Sequence, residues 1–287
     1  RYLRSELGCS DTALVTPMIM QDECLGLFVL EPPKGSSFDK NELAFLATLV
    51  IQGVMAIENA LLLEELTEKE RLKRELEIAR SIQKSLLPHS MPDIAGLDIH
   101  GCCLPAAEVG GDYFDFFRIG TDRTGFVIAD VTGKGTSAAF YMAVVKGLML
   151  SISRRILSPI TLISELNQLL WDQLDRKIFV TMIYAVINHK TRICTFCRAG
   201  HNGLIVKKAD KPDVDYLVPK GIGLGLEQGE VFNQTIEEEE IQLKNGDRLL
   251  FYTDGAFEAL NPAMEDFGEN RLIQFFSNLD GSDSASV

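Results

Sequence analysis

Between residues 38 and 87 the chain has no proline and a single glycine, Gly53. A stretch of that length without a breaker has one regular solution, a continuous helix. Asp39 is placed to cap its start. Apolar residues recur at 43, 46, 50, 54, 57 and 61, then at 72, 76, 79, 82 and 86, which is the spacing of one helix face. The charged middle, LTEKERLKRELEIAR, sets opposite charges three and four apart, an arrangement that supports an exposed helix. At the rise of an α-helix the rod would be roughly 70 Å long. A lone helix of this kind has nowhere to bury its stripe, so residues 61–92 are expected to form a helical, coiled-coil linker that pairs with a second copy in a homodimer. Pro88 and Pro92 end it. The apolar part, residues 43–63, is also the segment to weigh as a membrane span. It contains Gln52, Glu58 and Asn59 and has acidic flanks where Lys or Arg would be wanted, which favours a buried helix or dimer seam and no membrane.

On the N-terminal side, ALVTPMIM and CLGLFVLE read as a hairpin, followed by the loop PPKGSS. This segment, residues 1–60 with the start of the helix, is too small to fold alone and reads as the tail of a domain. The first residue is Arg and there is no signal peptide, so the expectation is a piece of a longer, cytoplasmic protein. On the C-terminal side, residues 93–287 contain the strand-like runs LDIHGCCL, YFDFFRI, TGFVIAD, FVTMIYAVIN, TRICTFCRA, NGLIV and DRLLFYTD. Two helices lie in the middle, over residues 136–156 and from Ser158, where Pro159 occupies the first-turn position that proline tolerates. Strands, two helices and more strands indicate an α+β fold, an antiparallel β-sandwich flanked by helices.

The net charge of −13, with Lys and Arg scattered, excludes nucleic acid as the expected partner. Six cysteines are too few for a disulfide framework. Cys194 and Cys197 have CxxC spacing but lie in a strand-like run, where positions three apart face opposite ways, so a shared zinc ion is not expected.

Three aspartates end or begin strand-like runs beside glycine: Asp112 in VGGDYFD, Asp130 in VIADVTGKG and Asp254 in FYTDG. Asp-Gly pairs often mark turns and nothing more. Three carboxylates at strand ends also suit a hard divalent cation, since Mg²⁺ and Mn²⁺ take oxygen ligands. EVGGDYFDFF, IADVTGKGTSAAFYMAVVK, RAGHNGLIV, GLGL and NGDRLLFYTDGAFEALN, taken together, decide how these are read. Their order resembles that of bacterial metal-dependent serine/threonine protein phosphatases of the PPM superfamily, the SpoIIE-type, RsbU-like branch related to type two-C phosphatases. The resemblance spans residues 75–275, with ELEIARSIQKSLLP as its lead-in, and LGLFVLEPP with the helix through AIENA resembles the C-terminal part of a GAF sensor domain. GGDxF also occurs in diguanylate cyclases, but the aspartate and Asn-Asp pair those enzymes need upstream are missing. GIGLGLEQG does not join a strand to a capped helix and is no nucleotide loop.

The resemblance implies that Asp112 and Asp130 bind two catalytic Mn²⁺ or Mg²⁺ ions, Asp130 bridging them, with the backbone carbonyl of Val131 as a further ligand and Asp254 on the second ion. Glu258 matches an accessory acidic position. Gly111, Gly133 and Gly135 would let the loops come close to the ions, and an ion-activated water would attack phosphorus in line. His201, in AGHNG, is either a general acid or a structural hydrogen-bonding group. Lys134, where many relatives carry histidine, is either a phosphate contact or an exposed loop residue. His89, His100 and His189 have no partners at ligand spacing. The implied substrate is phosphoserine or phosphothreonine on a regulatory protein, an anti-sigma-factor antagonist of the STAS type, with an unknown small ligand for the GAF part. The sequence departs from the family pattern at its end: SNLDGSDSASV replaces an Asp-Asp-x-Thr strand that supplies another ligand. Either the sequence stops early or the ligand is lacking, and in the second case a non-catalytic scaffold is the alternative reading, beside a small-molecule phosphohydrolase.

Overall fold

The computed structural model of the chain describes residues 6, 8–20, 23–105 and 107–279, so the last part of SNLDGSDSASV lies outside the described residues. The chain divides into two compact units at Glu75 and Leu76.

The first unit contains an antiparallel pair, β1 (Leu14–Met20) and β2 (Glu23–Leu30), with Leu14 opposite Leu30 and a bulge between Met18 and Ile19. Helix α1 (Lys40–Leu86) follows and continues past the boundary. Its start is a reciprocal cap: Asp39 Oδ1 accepts from the N–H groups of Asn41 and Glu42, at 2.7 and 2.8 Å, while Glu42 Oε2 accepts from the Asp39 N–H at 2.8 Å. Three backbone donors that no helical carbonyl can serve are thereby satisfied. Leu46 and Val50 are buried within this unit, whereas Phe45, Ile51, Met55 and Leu63 are exposed. Among the described residues α1 is the one helix long and apolar enough to cross a membrane by length and composition. Arg71 pairs with Glu68 and Glu75 along its exposed surface.

The second unit is a sandwich of two antiparallel sheets with helices outside. The larger sheet has the order β3-β4-β5-β6-β9, from β3 (Tyr113–Ile119), β4 (Arg123–Val131), β5 (Val180–Asn188), β6 (Ile193–Ala199) and β9 (Glu238–Gln242). The smaller has the order β10-β7-β8, from β7 (Leu204–Lys207), β8 (Val214–Leu217) and β10 (Arg248–Leu250). Helix α2 (Thr136–Ile152) turns Ala138, Met142, Val145 and Met149 inward at helical spacing, and α3 (Pro159–Trp171) does the same with Leu162, Ile163, Leu166 and Leu170. The Ser158 hydroxyl caps α3. These residues meet Val127, Ala129, Met182 and Cys197 in a core on one face of the large sheet. On the other face Phe126, Ile183, Cys194 and Phe196 meet Leu204 and Val206 of β7 in the core between the sheets. Cys194 and Cys197 therefore lie in different cores, as the period of a strand requires. Beyond the small sheet, α5 (Glu269–Ser277) contributes Phe276 to a third cluster with Ile205 and Tyr252. A short helix, α4 (Gly229–Thr235), buries Phe232 in the first core.

The α+β sandwich expected from the sequence is present, with two of the expected strand-like runs differing in extent. LDIHGCCL forms no strand and shows only a bridge between Ile94 and Leu97. Leu97 and Ile99 pack onto the inter-sheet core, and Gly101 rests against the ring of Phe114, so the segment spends its apolar residues on packing and not on strand pairing. In DRLLFYTD only Arg248–Leu250 pairs with β7, and two residues beyond it the Tyr252 carbonyl accepts from His201.

Candidate active site

Three loop segments converge where the sheets end. Asp112 sits directly before β3, Asp130 lies next to the last residue of β4 opposite Thr181 of β5, and Asp254 opens a single 3₁₀ turn beyond β10. The first two segments are fastened together: the Val131 N–H donates to the Gly111 carbonyl at 3.3 Å. They lie so close that a β-carbon on residue 111 would overlap the Val131 carbonyl oxygen and stand 2.8 Å from Asp130 Oδ1. Glycine at 111 is thus a steric requirement. The turn after β4 is held in the same manner, Thr132 exchanging hydrogen bonds with both backbone groups of Phe179. Gly133 and Gly135 then take φ values of 107° and 73°, which favour glycine.

The electrostatics of this corner are one-sided. Asp130 is pushed up to about 7, first by burial and then by the charges of Asp112, Asp254 and Glu258, against a single backbone hydrogen bond from Val131. Asp112 is also raised, by burial and by Asp254, and a hydrogen bond with Thr253 opposes this. No lysine or arginine enters either balance. Repulsion of this kind is relieved by a cation, and an all-oxygen donor set fits Mg²⁺ or Mn²⁺. The carboxylates converge without closing on one point: among the described residues no group of three or more His, Cys, Asp or Glu side chains encircles a single ion position.

A cleft of about 260 Å³ opens beside Asp130 and Asp254, lined further by Thr132, Phe179, Thr181, Gly200, His201 and Asn202. His201 is 5% exposed. Its Nε2 lies 3.0 Å from the Tyr252 carbonyl, which can only accept, so the proton sits there, and Nδ1 accepts from the Thr181 hydroxyl at 2.8 Å. Burial lowers its pKa to about 4, and the ring is neutral. This geometry makes His201 a strut between β5 and the segment leading to Asp254. Lys134 and Glu258 are exposed, and Lys134 does not line the cleft. The sequence pattern did not single out Thr132, Thr181, Thr253 or Gln83. Thr253, directly before Asp254, and Thr132, two residues after Asp130, could have been found from their places in the motifs.

Residues 120–286, more than half of the chain, match the family model of stage II sporulation protein E (SpoIIE). The phosphoserine phosphatase RsbU of Bacillus subtilis is 32% identical over 191 residues, covering 66% of this chain and 55% of its own length. The phosphoserine phosphatase RsbP of the same organism is 27% identical, covering 65% and 46%. The chain thus spans about half the length of these curated relatives. In structure, the PP2C domain of SiaA from Pseudomonas aeruginosa superposes with a TM-score of 0.59 at 18% identity, covering 74% of this chain and 83% of that one. The RsbU and RsbW domains of a Mycobacterium tuberculosis protein give 0.50 at 23%, covering 61% and 47%. The family model and these similarities agree, and the chain belongs to the SpoIIE family of PP2C-type phosphatase domains, the branch that includes RsbU.

Proposed function

We propose that residues 93–287 act as a metal-dependent protein phosphatase on phosphoserine or phosphothreonine. The observation that carries this reading is the convergence of Asp112, Asp130 and Asp254 at one sheet end with no cationic side chain among the groups acting on Asp130. Asp112, Asp130, Asp254 and the Val131 carbonyl would hold two Mn²⁺ or Mg²⁺ ions, with Glu258 accessory. When bound, such ions supply an acidified water and positive charge for the transferring phosphoryl oxygens. The chain's own residues do the rest. Thr132 and Thr181 line the cleft with their hydroxyl hydrogens already given to the Phe179 carbonyl and to His201, which leaves the Asn202 amide as the lining side chain that can donate to a phosphate oxygen. His201, neutral and engaged at both nitrogens, holds Thr181 and the Tyr252 segment in register and does not serve as the acid.

The substrate would be a small regulatory phosphoprotein, a STAS-type anti-sigma-factor antagonist, by similarity to RsbU. Residues 1–60 would be part of a GAF-type sensor with its own small ligand, and residues 61–92 the linker through which it regulates a cytoplasmic homodimer. The exposed apolar residues of α1 support pairing with a second copy. The alternative is a non-catalytic scaffold. Aryl-phosphate hydrolysis with Mn²⁺, Mg²⁺ or chelator, beside Asp130→Asn, decides between them. Metal-dependent turnover that falls at least about a hundredfold in Asp130→Asn is expected, the scale of losing a transition-state electrostatic stabiliser. Absence of turnover together with absence of Mn²⁺ binding would leave the scaffold.

A further inference from the structure

Gln83 is buried, 8% exposed, in the last turns of α1. The apolar spacing predicts Ile82 on the inner face, yet Ile82 is 58% exposed and Gln83 takes the inner place, in line with Leu76, Ala79 and Leu86. Packing alone does not explain an amide there. Burying one is unfavourable unless its hydrogen bonds are made. Here they are made to one residue: Gln83 Nε2 donates to the Gly110 carbonyl at 2.6 Å, and the Gly110 N–H donates to Gln83 Oε1 at 3.1 Å. A backbone N–H only donates and a carbonyl only accepts, so the orientation of the amide is fixed. Two bonds to the two backbone groups of one residue fix its direction as well as its distance, as in a strand pair.

Gly110 begins the segment that ends in Asp112. The next residue, Gly111, is tied through its carbonyl to the Val131 N–H at the end of β4. The segment is therefore fastened on one flank by the helix and on the other by the strand that carries Asp130. Leu86 and Leu87 pack against the core beneath the large sheet and keep the end of α1 in place. We propose that Gln83 is a positioning residue for Asp112: its paired amide hydrogen bonds hold the Gly110–Gly111 backbone so that the Asp112 carboxylate faces Asp130 and Asp254, and thereby set the affinity of the site for a divalent cation. The proposal rests on reading that site as cation-binding.

The test is calorimetric titration of Mn²⁺ into the full chain and into Gln83→Met, which keeps the length of the side chain and makes neither bond. Melting of both proteins in chelator accompanies it. Mn²⁺ affinity about tenfold weaker in Gln83→Met, measured below its melting temperature, is the expected result, the scale found when groups that orient a metal ligand are removed. A merely structural role would lower the melting temperature and leave the Mn²⁺ affinity of the folded protein as in the wild type, and that outcome overturns the proposal. Should Gln83→Met not fold, Gln83→Glu is read by the same criterion. It keeps an acceptor for the Gly110 N–H but sets a carboxylate oxygen against the Gly110 carbonyl. A wild-type chain that binds no Mn²⁺ removes the cation site and the role of Gln83 with it, whereas wild-type binding matched by both variants removes the role of Gln83 alone.

Discussion

Asp115 and Asp130 lie on neighbouring strands of one sheet and are treated in opposite ways. Asp115, 7% exposed, is ion-paired with Lys146, accepts from the Tyr113 hydroxyl at 3.0 Å and takes the Phe116 N–H at 2.9 Å. Asp130 is half-buried among other carboxylates and receives one backbone hydrogen bond in return. The first charge is neutralised from within the chain and needs nothing further. The second is left to be neutralised from outside. Burial alone does not mark a functional carboxylate. What sets Asp130 apart from Asp115 is burial among like charges, with no counter-charge among the groups acting on it.

The contrast can be broken at its closed end. Lys146→Met strips Asp115 of its cation while the carboxylate stays buried, and a loss of about 3–5 kcal/mol is expected, the range for breaking a buried pair from one side. Urea unfolding in chelator measures it, and the double variant Asp115→Leu with Lys146→Met should recover most of the loss. A negligible effect of the single change would mean that Asp115 is not held by its partner.

Acid sharpens the contrast through a third buried group, His201, which is kept neutral. Its folded pKa of about 4 lies below the roughly 6.5 of a free imidazole, so between those values the unfolded chain binds a proton that the folded chain refuses. The stability this histidine contributes is complete above pH 6.5 and is lost as pH falls towards 4, by about 3 kcal/mol. Unfolding at pH 7 and pH 4.5 in wild type and His201→Gln isolates the contribution, since the variant should lack that part of the slope. Equal slopes would count against a neutral, engaged ring.

The smallest expected effect is at Gly111. Its alanine variant must push both the Val131 carbonyl and the Asp130 carboxylate aside, at a cost of about 1–3 kcal/mol, the usual range for overpacking. Because the crowded atoms belong to the open site, Mn²⁺ affinity should fall along with stability. A loss of stability with unchanged affinity would show that the loop can shift without disturbing Asp130.

Much of this arrangement was legible in the sequence, for reasons that differ from residue to residue. The runs that became β3 to β7 bury alternate or continuous apolar residues and were found by pattern. The three longest helices were found from their apolar spacing, two of them with their starts at Asp39 and at Ser158 and Pro159. Strand β8, VDYL, is short and half polar, and the helices α4 and α5 are only two or three turns long, so periodicity had little to act on. LDIHGCCL has the composition of a strand, but pairing is decided by neighbours that the local sequence does not contain. The three aspartates stood out because glycine and strand ends surround them. Gln83 did not, because a glutamine beside an isoleucine on an amphipathic helix gives no sign of which one faces inward. Only the tertiary partner, a glycine 27 residues further on, settles that.

The strand β6 carries one further consequence. Cys194 and Cys197 are both fully buried and free, one between the sheets and one beneath the helices, and their thiols are raised in pKa by burial. They cannot join in a disulfide without the strand turning over, and an alkylating reagent reaches each only when its own layer opens. The chain thus holds two internal clocks three residues apart: labelling at Cys194 times the parting of the sheets, and labelling at Cys197 times the lifting of the helices.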